Sequence, residues 1–142
     1  MKKFAFRLDS VLRYRIAQRE LELARMSTLI AEQAKLIGEL ESLAAQRTEA
    51  ITSLQLAREF QAIELRSLSS YLVGAAGREQ LLQQKLTRQK QLIAAQRERV
   101  ITAERDVKLL EKLRADRLKD WQKEFDRHTE SAAEDAWRAA HQ

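Results

Sequence analysis

The chain has 142 residues, 33% of them charged and 6% aromatic, with three glycines and neither proline nor cysteine. Alanine, leucine, glutamine, glutamate, lysine and arginine predominate, the composition of long helices and coiled coils and not of a globular α/β domain. Without cysteine, a disulfide framework and a cysteine-ligated zinc site are both excluded. The net charge of +5 and the pI near 9.7 suit nucleic acid, an acidic membrane surface or an acidic protein, and select none of them.

Residues 1–9 form a short basic and aromatic extension in which Phe4, Phe6 and Leu8 alternate with Lys3, Ala5 and Arg7. Lys2 and Lys3 resemble the start of a signal peptide, but Arg7 and Asp9 interrupt before an apolar run forms. No later window approaches the roughly 18 uncharged apolar residues that a membrane span requires. A cytoplasmic protein without direct membrane insertion is therefore expected. Asp9 or Ser10 offers an oxygen to cap the helix that follows.

Helix one is expected over 10–72. One heptad row runs Leu12, Arg19, Met26, Gln33, Leu40, Arg47, Leu54, Gln61 and Leu68. A second, four residues on, runs Ile16, Leu23, Ile30, Ile37, Ala44 and Ile51 and continues after Arg58 to Leu65 and Leu72, with Leu29, Leu36 and Leu43 between them. Together they make a stripe wide enough to bury against another helix. The polar members of the seam cost stability and can set register. Gly74 and Gly77 then fall almost at mid-chain. Glycine adopts positive φ at little cost, so the pair predicts a turn over 73–77, within the stretch 72–78. Helix two follows over 78–139, with Leu82, Leu86, Ile93, Val100, Val107, Leu110, Trp121 and Phe125 on its stripe and 140–142 as a tail. The expected fold is all-α: two long helices in an antiparallel coiled-coil hairpin. With the turn centred near Ala75, Leu40 would face Leu110, Leu29 would face Trp121, and Leu12 would lie near Trp137. Each arm would run about 90 Å.

No catalytic constellation emerges. Gly38, Gly74 and Gly77 are followed by no phosphate-cradling motif. His128 and His141 stand thirteen apart, off a common helical face, so no metal site is expected. Carboxylates without a cleft have no reason for a perturbed pKa. The chain is read as non-enzymatic and cofactor-free. Basic residues cluster instead: six against one acid between Lys2 and Arg19, and six against two between Arg78 and Arg99.

Phe6-Arg7-Leu8-Asp9-Ser10-Val11-Leu12-Arg13-Tyr14-Arg15 resembles the opening of the FliJ family of flagellar export proteins: a Phe-x-Leu pair, then Val-Leu, then an arginine-bearing helix start. The closing segment from Lys112 through Asp135 is also similar. The resemblance implies a cytoplasmic, non-enzymatic component of the flagellar type III export apparatus, peripherally associated with the inner membrane. Its open end would enter the export ATPase hexamer, and it would contact the export gate membrane protein and escort export chaperones. Carried onto this chain, the ATPase end comprises Phe4, Phe6, Leu8, Arg13, Arg15, Arg19, Lys123, Arg127 and Trp137. The gate side, nearer the turn, comprises Tyr71, Leu72 and Val73. The counterpart stalk of a virulence-type injectisome shares the hairpin but looks less like this opening. A nucleic-acid-binding coiled coil is the alternative of another class. Against it, aromatics are not interleaved with the basic clusters.

Overall fold

The computed structural model describes all 142 residues and contains two helices, α1 (Asp9–Leu56) and α2 (Ala62–Ala140), packed against each other as a two-helix hairpin without strands. The all-α expectation is met, but the turn is elsewhere. The chain reverses over 57–61, Ala-Arg-Glu-Phe-Gln, and α2 runs unbroken through Gly74 and Gly77. No glycine has positive φ. The turn at 73–77, the helices over 10–72 and 78–139 and the equal arms are therefore corrected: α1 has 48 residues and α2, from Ala62 to Ala140, has 79.

The reversal falls where the seam lapses. The heptad positions after Ala50 and Leu54 are Ala57, Gln61 and Glu64, so a helix continued there would have no apolar stripe to bury. Backbone bonds from Ala57 N–H to the Leu54 carbonyl (3.3 Å), and from Glu64 and Leu65 N–H to the Gln61 carbonyl (3.1 and 3.3 Å), finish one helix and start the next. Glu64 in the first turn of α2 favours the positive end of the helix dipole. The glycines, by contrast, sit in a stretch whose seam residues, Leu68, Leu72 and Ala75, do bury. That burial exceeds the roughly 1 kcal/mol that each helical glycine costs.

The chain divides into two compact units, Leu23–Glu98 and Met1–Glu22 with Arg99–Gln142. In the unit Leu23–Glu98, α1 buries or half-buries Met26, Leu29, Gln33, Leu36, Leu40, Leu43, Arg47, Ala50 and Leu54, in alternating steps of three and four. In α2 the matching series is Leu68, Leu72, Ala75, Glu79, Leu82, Leu86, Gln89, Ile93 and Gln96. These are the two sides of an antiparallel coiled-coil seam. Three polar members set its register. Arg47 pairs with Glu79. Gln89, only 7% exposed, donates from Nε2 to the Leu29 carbonyl (2.9 Å) and to Glu32 (3.1 Å). Leu29 therefore lies beside Gln89 and not beside Trp121. Relative to the expected pairing, α2 is displaced by about four heptads, a slip that leaves apolar facing apolar.

In the other unit, Leu12, Ala103 and Val107 are buried and Ile16, Val100 and Leu110 half-buried. Arg15 donates to Asp106 across the seam at 3.2 Å. The expected pairing of Leu12 with Trp137 is not found.

Candidate docking site at the N-terminal segment

The segment before α1 is held against α2 by specific contacts. The Trp121 indole Nε1–H donates to the Lys2 carbonyl at 3.1 Å. The Phe4 ring lies 6.2 Å from the Trp121 ring at a tilt of 57°, and the Arg114 guanidinium sits over the Phe4 ring at 5.7 Å. Tilted rings and a cation over an aromatic face are both favourable arrangements. A tight turn follows, in which the Asp9 N–H reaches the Phe6 carbonyl (3.1 Å). The Leu12 N–H then bonds to the Leu8 carbonyl (2.9 Å) as the first α-helical link. Asp9 is thus the first helical residue. Its carboxylate faces Arg13, whose Nε donates to it at 2.9 Å, so the expected cap instead supports the helix dipole. Leu113, Arg117, Asp120 and Glu124 complete an open groove of about 910 Å³ along this segment.

The structure brings together only part of the sequence-derived ATPase end. Phe4 and Phe6 are half-buried and Leu8 is at the surface. Arg13 pairs with Asp9, Arg15 with Asp106 and Arg19 with Glu20. The local basic excess is therefore partly neutralised, though each pair remains solvated. Lys123 and Arg127 lie on α2 just beyond Trp121, where every residue from Gln122 onward is exposed. Phe125 stacks on Trp121 with ring centroids 5.3 Å apart. Trp137 is sixteen residues further along, 63% exposed and stacked on His141 at 4.5 Å. It takes no part in the contacts around Phe4. His141 Nδ1 lies 2.9 Å from the Trp137 carbonyl, a bond within the same turn.

The gate-side residues are displaced as well. Tyr71 and Leu72 are half-buried in α2 and Val73 alone is open to solvent, all ten or so residues past the reversal. The apolar side chains exposed around the reversal are Leu56 (79%), Phe60 (55%), Ile63 and Leu65. The signal for them was in the sequence: these four lie beside the seam positions Ala57, Gln61 and Glu64, which offer one methyl group and two polar side chains. No helix is long and apolar enough to cross a membrane. Comparison with protein-family models, curated proteins and solved structures finds no match for the chain.

Proposed function

We propose that this chain is a non-enzymatic stalk of a flagellar-type III export apparatus, docking on a ring-shaped export ATPase and linking it to the membrane export gate and to export chaperones. The observation that carries this reading is the capture of the N-terminal segment by α2. Lys2 and Phe4, just before the FliJ-like stretch Phe6 to Arg15, are held at Trp121, after which α2 is fully exposed and bears Lys123 and Arg127. A helix exposed on all sides is suited to entering a complementary hole, with charge guiding the approach. The gate-facing surface is placed at the reversal, on Leu56, Phe60, Ile63 and Leu65, with Val73 alongside. A cytoplasmic location at the inner-membrane apparatus belongs to the same reading.

The test is a pull-down of the export ATPase, with hydrolysis measured with and without the protein. Arg13→Glu combined with Lys123→Glu and Arg127→Glu removes positive charge from exposed positions, and the one ion pair it breaks is a surface pair of small worth. The triple variant should retain its helical circular dichroism and lose stimulation of the ATPase at least tenfold. Undiminished stimulation would show that docking uses another surface.

A further inference from the structure

Within Leu23–Glu98, α1 carries a second heptad row that α2 leaves open. Leu23, Ile30, Ile37 and Ile51 are 38%, 47%, 39% and 38% exposed. Across this outer face runs a row of small residues, Ala24, Ala31, Gly38, Ala45 and Thr52, all exposed. Between the two rows, Ser27, Ala34, Glu41 and Thr48 carry one charge in four heptads. A ridge of Ile and Leu parallel to a furrow of Ala and Gly is a surface for close packing of a helix, because small residues let backbones approach and large ones fill the space. No added Cβ at Gly38 would meet any atom within 4 Å, so the furrow is open there.

The pattern is complementary to itself when reversed. In antiparallel pairing, a residue on one side of the face shares a layer with one from the other side of its mate. Placing Ile37 level with Gly38 of a second copy brings Ile30 to Ala45, Leu23 to Thr52 and Ile51 to Ala24. Each large residue shares a layer with a small one, Glu41 falls level with Ala34, and the two-fold sets Ile37 beside its own symmetry mate and Leu23 beside Ile51. This is the isologous symmetry of a two-fold dimer. The face is about 42 Å long, and covering it from both copies removes on the order of 1,200 Å², the lower end of stable interfaces.

We infer that this face of α1 is the interface of an antiparallel homodimer, with its two-fold axis beside Ile37 and Gly38. The inference stands apart from the export reading, since its readout is mass and not ATPase activity. Sedimentation equilibrium of the full chain should give twice the 16.5 kDa chain mass at micromolar concentration. Ala31→Lys with Ala45→Lys alters only exposed furrow positions. It should raise the dissociation constant at least tenfold with circular dichroism unchanged. The chain has no cysteine, so Gly38→Cys introduces a single thiol near the axis, and mild oxidation should cross-link two copies. Gln84→Cys, on the exposed far side of α2, should not. A monomer at 100 µM would overturn the inference. So would a dimer indifferent to the furrow lysines, which would use a different face.

Discussion

Replacing Gly74 and Gly77 together by alanine tests where the chain turns. Both lie in the interior of α2 at negative φ, and a Cβ built on either meets nothing within 4 Å. Alanine then adds no clash and removes the backbone entropy that glycine loses on becoming helical, a gain of about 1 kcal/mol per site. For a chain of this length, ~2 kcal/mol raises the melting temperature by several degrees, on the order of 4–8 °C. The assay is thermal and urea unfolding followed at 222 nm, with each single variant alongside to check that the two gains add. A turn at 73–77 would reverse the sign, because alanine at a left-handed position destabilises by more than the entropic gain. A melting temperature lowered by the double substitution would refute the assigned reversal and the register that depends on it.

Two further tests follow from the contacts. Spin labels on residues 15 and 106 should be close, as Arg15 and Asp106 are bonded. Labels on 15 and 134 should be roughly 40 Å apart by the helical rise along α2, and a short 15–134 distance would restore the discarded pairing. Trp121→Ala removes the hydrogen bond to the Lys2 carbonyl and the ring contact with Phe4. Losing this half-buried aromatic should cost about 1–2 kcal/mol locally and release the N-terminal segment, with tryptic cleavage at Lys2, Lys3 and Arg7 accelerated several-fold. Unchanged cleavage would mean that other contacts hold the segment.

The polar seam residues show what was legible and what was not. Arg47 stands in the α1 row with Leu12, Met26, Leu40 and Leu54, and a half-buried guanidinium needs an acid. In the α2 row Leu72, Glu79, Leu86, Ile93, Val100, Val107, the one acid is Glu79. Arg19 stands in the same row, so matching arginine to Glu79 leaves two registers, of which the structure takes the one through Arg47; apolar matching leaves more, since any slip by whole heptads keeps leucine on leucine. The N-terminal aromatics were legible as a short alternating extension, not as a segment held against α2. Their partner was not, because Trp121 is reached only once the register is known.

Composition and heptad spacing by themselves determined that the chain is helical, that each helix has a buried stripe and that two such stripes pair. These are local properties, set by a 3.6-residue period and by side chains that stay helical without proline. Only the tertiary structure decided where the chain reverses and which heptad meets which. Glycine has a modest helical cost that seam burial overrides at 74 and 77. The reversal at 57–61 contains no glycine and is marked only by the lapse of an apolar stripe. Tertiary structure also decided that the Ile30–Ile37 row stays partly exposed: two adjacent apolar rows compete for one partner, and the pairing of Arg47 with Glu79 and of Gln89 with Leu29 turns α1 so that the other row is buried.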